Sequence, residues 1–408
     1  MSHPLDGKTV LLGLSGGIAC YKSAELARLL VRAGAEVRCL MTRGAREFIT
    51  PLTLQSLTGK PVATDIFELS QELQIGHIRL ADQADAYVIA PATADVIAKL
   101  AHGFADDVVT TVALATRAPL VVAPSMNTNM YDHLATQQNI ATLRSRGVIV
   151  VDPGEGDLAC GWHGKGRLAE PSILLAEVER AVSRKDFAGE HVVVTAGPTR
   201  EAIDPVRFVS NRSSGKMGYA LAQASWRRGA SVTLITGPTA LDPPHGVRVV
   251  PVLSADEMYR AVFEALADAT IVFMCAAVAD YRPKVAVAEK IKKQAASLTL
   301  ELVRTPDILA AVSQNKGERI LVGFAAETEQ LEAHAREKLL RKNLDLIVAN
   351  DVRGPQTGFE ADTNAALLLD RLGNRVEIPL MTKREMAEAI LDHVAKLRGE
   401  HSTASWAR

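Results

Sequence analysis

The sequence has few cysteines, few aromatic residues and almost no net charge, and each shortage excludes a class of protein. Its four cysteines among 408 residues form no CxxC pair, so a disulfide framework or a zinc site is not expected. A net charge of −1 and an aromatic content of 4% give no reason to expect nucleic acid or an anionic membrane as a partner. No apolar run approaches the roughly 20 residues of a membrane span, and the first eight residues lack an apolar signal core. We therefore expect a soluble, cytoplasmic globular protein.

Two familiar nucleotide-binding motifs are also missing. The turn at 15–17 (SGG) lacks the glycine spacing of the dinucleotide motif GxGxxG. The segment 213–216 (SSGK) lacks both the earlier glycine and the following Ser or Thr of a P-loop, which is therefore excluded. An NAD(P)-dependent oxidoreductase stays an alternative. Such a protein would be stabilised by added NAD(P) and would contain no bound flavin.

The chain contains two strand–helix–strand patterns. Residues 8–14 form an apolar segment that the glycine turn ends, and helical periodicity and a second apolar segment follow. The same order begins again at 191–196, where HVVVTA runs into a Gly-Pro turn. The fold class is therefore predicted to be α/β, with two Rossmann-like parallel sheets covered by helices on both faces.

A polar joint at 185–190 separates these patterns. We predict domains at 1–188 and 189–400, followed by a disordered tail at 401–408. The glycine-rich segment 152–167 is predicted to be a long functional loop without regular structure.

Several polar residues of the first half invite two interpretations each. The turn at 15–17 suits a phosphate or a plain tight turn. His77 precedes a helix and is catalytic or structural. Asn127 is a turn former or a ligand of a carboxylate. Cys160, beside cationic residues in the glycine-rich loop, favours a proton donor or nucleophile over an inert thiol.

The second half offers a similar choice. Lys290 and its neighbouring lysines form a solvated face or close over a triphosphate beside Asp280. The segment 305–307 (TPD) is explained by helix capping alone. Lys338 and Lys342 share a helix face and are a phosphate clamp or solvated.

Taken together, these segments resemble one family over nearly the whole chain: the bacterial bifunctional phosphopantothenoylcysteine decarboxylase/phosphopantothenate–cysteine ligases of coenzyme A biosynthesis. The first half resembles the flavodoxin-like, flavin-dependent cysteine decarboxylases in SGGIA, PATAD, PSMNTNM and CGWHGKGR. The second half resembles the ligase in TAGPTRE, DPVRFVSNRSSGKMG, CAAVADYRP, EKIKK, GFAAET and RKNLDLIVAND.

For the first half, the resemblance implies decarboxylation of 4′-phosphopantothenoylcysteine to 4′-phosphopantetheine with FMN. His77 would assist the oxidative half-reaction, Asn127 would hold the substrate carboxylate, and Cys160 would donate the proton that completes reduction. FMN would be held by Gly16, Gly17, Ile18, Thr42, Ala92 and Thr93.

For the second half, it implies activation of 4′-phosphopantothenate by CTP to an acyl-cytidylate, which L-cysteine then converts to the amide. Asn211 would polarise the acyl-cytidylate, and Lys290 would serve the triphosphate. Mg²⁺ would accompany the triphosphate, with unknown protein ligands. The implied CTP site comprises Met274, Ala276, Asp280, Lys290, Pro306, Asp307, Ile308, Leu309, Phe324, Lys338 and Lys342.

The resemblance also implies a homo-oligomer, a dodecamer built from trimers of flavin domains and dimers of ligase domains. The alternative within the same fold is a flavoprotein that retains only one activity. The presence of Cys160 and of every ligase motif argues against it.

Overall fold

The computed structural model describes residues 3–66, 76–157, 161–292, 298–327, 330–351 and 361–405. Contacts between Cα atoms divide the chain into two units, Ser2–Ser183 and Arg184–Arg408. This division falls a few residues before the predicted boundary at 188/189.

The first unit is built on a five-stranded parallel sheet in the order β2-β1-β3-β4-β5. That is the flavodoxin-like order, and it reverses direction between β1 and β3. The strands are β1 (Thr9–Leu14), β2 (Glu36–Met41), β3 (Ala86–Ala92), β4 (Leu120–Pro124) and β5 (Ile149–Val150).

Helices cover both faces of this sheet because successive side chains of a strand point to opposite sides. Val10 and Leu12 of β1 belong to one buried cluster, whereas Leu11 belongs to another. The helices are α1 (Cys20–Arg32), α2 (Pro51–Thr58), α3 (His77–Gln83), α4 (Ala94–His102), α5 (Val108–Ala115), α6 (Thr128–Asp132), α7 (Leu134–Ser145) and α8 (Pro171–Val182), with a short 3₁₀ helix at Gly44–Glu47.

The glycine-rich segment 152–167 is more regular than the sequence predicts. Its ends form an antiparallel hairpin of β6 (Gly154–Asp157) and β7 (His163–Arg167). The predicted absence of regular structure is therefore wrong for these residues. Cys160 lies outside the described residues.

The second unit has an eight-stranded sheet in the order β12-β11-β8-β13-β16-β17-β18-β19. Its first six strands are parallel and follow the Rossmann order, which reverses direction between β8 and β13. The last two pair antiparallel, an edge that the sequence did not predict. The strands are β8 (His191–Ala196), β11 (Ser231–Thr236), β12 (Arg248–Pro251), β13 (Ile271–Met274), β16 (Ile320–Glu327), β17 (Leu346–Asp351), β18 (Thr363–Asp370) and β19 (Arg375–Thr382).

Two short antiparallel pairs flank the carboxyl edge of this sheet. They are β9 (Arg200–Ala202) with β10 (Phe208–Ser210), and β14 (Tyr281–Pro283) with β15 (Leu302–Arg304). The helices of the unit are α9 (Lys216–Arg227), α10 (Ala255–Ala265), α11 (Ile308–Gln314), α12 (Leu331–Arg341) and α13 (Lys383–Ser405).

The predicted α/β fold with parallel sheets is confirmed in both units. The last helix continues to Ser405, where the sequence predicts a disordered tail from 401; residues 406–408 lie outside the described residues. Among the residues described, no helix is long and apolar enough to cross a membrane.

Candidate active sites

The first unit has a cleft of about 430 Å³ where β1 and β3 end. The edge at which the strand order reverses is where open α/β sheets bind ligands. The cleft brings together five of the predicted site residues, Gly16, Gly17, Ile18, Thr93 and Asn127. The hairpin contributes Asp157, Gly166 and Arg167 to the same cleft.

Ser15 joins the ends of these two strands. Its buried hydroxyl donates a hydrogen bond to the carbonyl of Pro91 (2.7 Å) and accepts one from the backbone N–H of Thr93 (2.9 Å). The turn after β1 is thereby held beside the turn after β3. The sequence pattern indicated the glycines of this turn but not the role of Ser15.

Gly16 is a glycine because another backbone lies against it. A Cβ atom at Gly16 would stand 2.9 Å from the carbonyl carbon of Gly44. Thr42 is fixed nearby, since its backbone N–H donates a hydrogen bond to the Leu14 carbonyl (3.0 Å) and its hydroxyl accepts one from the backbone N–H of Ala45 (3.3 Å). Thr42 therefore lies beside the glycine turn, although it does not line the cleft.

Asn127 has a second, structural contact, whereas the predicted residues Ala92 and His77 do not line the cleft. Asn127 lines the cleft and also caps α6, since its side chain accepts a hydrogen bond from Asn129 N–H (2.8 Å). Ala92 is fully buried and binds Ser125 N–H through its carbonyl (3.0 Å). His77 begins α3 outside the cleft lining, and its buried Nδ1 has no hydrogen-bond partner in the described part of the chain.

The hairpin packs directly on the loop that carries Asn127. The N–H of Met126 donates to the carbonyl of Gly166 (3.0 Å). Gly166 has a φ of +144°, and a Cβ there would stand 2.2 Å from the Met126 carbonyl oxygen. Only glycine fits this contact without displacing the hairpin.

Gly166→Ala is therefore expected to push the hairpin away from the cleft and to lower at least tenfold the decarboxylase activity that the resemblance implies for the first unit, while the implied ligase activity persists. Gly103→Ala is the matched control, because Gly103 has a φ of +75° with nothing within 4 Å of its Cβ position. That variant costs only the backbone strain of about 1 kcal/mol. Decarboxylation of supplied 4′-phosphopantothenoylcysteine measures the effect, and equal losses in the two variants would contradict it.

The second unit has two adjoining cavities at the carboxyl ends of β8, β13 and β16. The first cavity, which we call lobe A, has a volume of about 550 Å³, and its lining includes Thr195 and the segment 304–309. The second cavity, which we call lobe B, has a volume of about 490 Å³, and its lining includes the segment 211–218, Asn350, Asn364 and Lys383. The two lobes share Ala276, Val278, Asp280, Phe324 and Lys338.

Lobe A collects the predicted CTP residues with one exception. It is lined by Met274, Ala276, Asp280, Pro306, Asp307, Ile308, Leu309, Phe324, Lys338 and Lys342. Lys290 lines neither lobe. Arg304, Arg341 and Thr195 also line lobe A, and the sequence analysis missed them.

Ion pairing positions the cations of lobe A. Lys342 forms an ion pair with Asp307, and the Lys338 ammonium donates to the Phe324 carbonyl (2.8 Å). Burial alone would raise the pKa of Asp307, but hydrogen bonds from Lys342 and from Ala310 N–H hold it below its ordinary value. The carboxylate is therefore charged near neutral pH and fixes Lys342 at the cavity wall.

Two threonines and Asn211 fix the chain after β13. The Thr195 hydroxyl accepts hydrogen bonds from the backbone N–H groups of Cys275 (3.0 Å) and Ala276 (3.1 Å). The Thr199 hydroxyl accepts one from the backbone N–H of Ala279 (3.0 Å). The Asn211 amide donates to the Val278 carbonyl (2.9 Å). Asn211 is thus held where the two lobes meet.

Lys290 belongs to a loop that is tied to Asp204. The Asp204 carboxylate accepts from Arg207 and from Ile291 N–H (3.1 Å), and hydrogen bonds from Arg207 hold its pKa well below the ordinary range. Arg207 also donates to the Ile291 carbonyl (2.9 Å). The sequence analysis did not identify this anchor beside Lys290.

Among the described residues, no group of three or more His, Cys, Asp or Glu side chains forms a metal-binding cluster. Asp280 is a carboxylate of lobe A that suits a hard cation.

Each unit matches a separate family model. Residues 1–183 match the family described as Flavoprotein. Residues 187–397 match the DNA/pantothenate metabolism flavoprotein C-terminal domain.

Similar proteins extend over the whole chain. The Coenzyme A biosynthesis bifunctional protein CoaBC of Bacillus subtilis (strain 168) is 50% identical over 96% of this chain and 98% of its own length. That of Escherichia coli (strain K12) is 48% identical over 96% and 97%.

A solved structure of the C-terminal domain of a CoaBC protein is 42% identical and covers 53% of this chain and 99% of its own, with a TM-score of 0.46. The two relatives that match nearly the whole chain at 48–50% identity settle the family. The chain belongs to the coenzyme A biosynthesis bifunctional proteins, enzymes that combine phosphopantothenoylcysteine decarboxylase and phosphopantothenate–cysteine ligase activities.

Proposed function

We propose that the second unit joins 4′-phosphopantothenate to L-cysteine at the expense of CTP, and that the first unit decarboxylates the product with FMN. The observation that carries the ligase half is lobe A, in which all but one of the predicted CTP residues meet beside Asn211 of lobe B. The flavoprotein family match over 1–183 supports the decarboxylase half.

The ligase reaction has two displacements. A carboxylate oxygen of the acid attacks the α-phosphorus of CTP, forming an acyl-cytidylate and releasing pyrophosphate. The cysteine amine then attacks the acyl carbon, loses a proton and expels CMP. Both steps depend on positioning and on neutralising negative charge.

The residues of lobes A and B suit these steps. Lys338, Lys342 and Arg304 would offset the triphosphate charge, and Asn211 would hydrogen-bond the acyl oxygen as it becomes negative. Lys290 would approach the triphosphate from the loop tied to Asp204. Mg²⁺ would enter with the triphosphate, Asp280 would be a carboxylate ligand for it, and the ion would retain several of its waters.

The glycine turn of the first unit fits a flavin phosphate. Gly16 and Gly17 leave backbone at the cleft surface, and Thr93 stands at the start of α4. Backbone N–H groups at such a turn and helix terminus suit a phosphate. The FMN residues would be Gly16, Gly17, Ile18, Thr42, Ala92 and Thr93.

FMN supplies a two-electron oxidation of the substrate thiol, which makes loss of CO₂ possible, and later returns those electrons. Asn127 would hold the substrate carboxylate at the cleft. His77 would move a proton during oxidation, for which imidazole is suited near neutral pH. Cys160 would protonate the ene-thiol carbon left after CO₂ departs.

We also propose cytoplasmic homo-oligomers, with trimers of the first unit and dimers of the second forming a dodecamer. Cys20, Cys39 and Cys275 are free thiols, as is usual in a reducing compartment.

The test of the decarboxylase half is the visible absorption of freshly purified protein, followed by extraction of the chromophore. Bound FMN and formation of 4′-phosphopantetheine from supplied 4′-phosphopantothenoylcysteine are expected. A colourless protein that FMN does not reconstitute would contradict this half alone.

A further inference from the structure

Lobe B contains charged and polar groups to which the proposed chemistry gives no role. Lys383 lines it and is only 7% exposed, although it carries an ammonium group. Lys216 lines the same lobe from the start of α9. Both lysines are set apart from the cations that line only lobe A.

Both lysines contact Asp362, Lys216 through its ammonium group and Lys383 through its backbone. Lys216 pairs with Asp362 (2.5 Å), whose side chain is 86% exposed, and the Lys383 backbone N–H donates to the Asp362 carbonyl (3.0 Å). Burial, and then the charge of Lys216, lowers the pKa of Lys383, while Cys275 and Asp362 act in the opposite direction. An anion in lobe B would offset the burial of one ammonium and the repulsion between the two.

Asn350 indicates a second property that a ligand of lobe B should have. Its Oδ1 is buried and has no hydrogen-bond partner within the described residues, and the side chain lines lobe B. A buried acceptor of this kind is costly unless a ligand supplies a donor. Lobe B therefore suits a molecule with an anionic group and an N–H or O–H donor.

We propose that Lys383 and Lys216 bind the phosphate monoester of the ligase's acid substrate, and that Asn350 accepts a hydrogen bond from its amide or hydroxyl. The inference rests on the proposed function, since 4′-phosphopantothenate carries a phosphate at one end and the reacting carboxylate at the other. Asn211, where the lobes meet, would lie at the carboxylate end. The triphosphate of CTP is the other source of phosphate, and lobe A already provides cations for it.

The test is the Michaelis constant of each ligase substrate in Lys383→Met. We expect KM for 4′-phosphopantothenate to rise about 10- to 100-fold, as for a lost charge-assisted hydrogen bond, and KM for CTP to stay within about twofold. Lys216→Met, at a more exposed position, should raise the same constant. A misfolded fraction would lower kcat and leave both KM values unchanged.

Lys396→Met is the matched control, since Lys396 is exposed on the same helix; its KM values should equal those of the native protein. Unchanged KM for 4′-phosphopantothenate in both lobe B variants would overturn the inference, and so would an increase confined to CTP. A native protein without ligase activity would instead refute the proposed function.

Discussion

Asn211→Asp is expected to slow the ligase about 10²- to 10³-fold, the usual cost of removing a donor to a developing oxyanion. The Asn211 amide is anchored on Val278 (2.9 Å), so it is held in place before substrate arrives. Aspartate removes the donor and adds a negative charge beside the acyl oxygen. Acyl-cytidylate should accumulate, because reaction with cysteine loses its stabilisation.

The measurement is rapid quenching with labelled CTP, which separates pyrophosphate release from CMP release. Asn315→Asp is the matched control, since Asn315 is exposed at the end of α11 and lines neither lobe. Decarboxylation of supplied 4′-phosphopantothenoylcysteine should be normal in both variants. Native ligase turnover in Asn211→Asp would remove this residue from the mechanism.

Cys160→Ser is expected to release CO₂ yet form 4′-phosphopantetheine at least 10²-fold more slowly, because a serine hydroxyl is a far weaker acid than a thiol. Cys160 follows Asp157 and precedes His163, the inner ends of the hairpin strands, and Asp157 lines the cleft of the first unit. Without the proton donor, the oxidised ene-thiol product should be released. Mass spectrometry distinguishes it from the reduced thiol by two hydrogen atoms.

Cys39→Ala is the matched control, because burial raises the pKa of the Cys39 thiol to about 12 and makes it a poor acid. Ligase activity in the same preparation reports whether the rest of the chain is intact. A normal yield of reduced product from Cys160→Ser would show that another group donates the proton.

Local patterns were sufficient to predict the sheets. The apolar strands at 8–14 and 191–196, each ended by a glycine turn, indicated two parallel α/β units, and the structure confirms them. The antiparallel edge of β18 and β19 was missed because such a pair depends on the strand beside it. The β6–β7 hairpin was missed because its glycines suggest irregular backbone.

The sites show the same difference between what local sequence patterns predict and what only the folded chain brings together. The predicted CTP residues of lobe A came from motifs that resemble a family. The fold brings them together because β13, β16, the turn after β15 and helix α12 all contribute to the wall of one cavity. Lys383 belongs to no such motif, and Asn350 lies in one of them (RKNLDLIVAND) without having been identified as a site residue. Lys383 begins α13 and Asn350 lies near the end of β17, and it is the fold that brings both residues to lobe B. A motif search does not reveal this arrangement. Ser15 and Asp204 likewise act through contacts distant in sequence.

The most direct test of two consecutive reactions in one chain uses L-cysteine labelled in its carboxyl group, mixed with 4′-phosphopantothenate, CTP and the purified protein. We predict labelled CO₂ in amounts equal to the CMP released, and none when CTP or 4′-phosphopantothenate is omitted. CO₂ without a nucleotide requirement, or CMP without CO₂, would contradict the account.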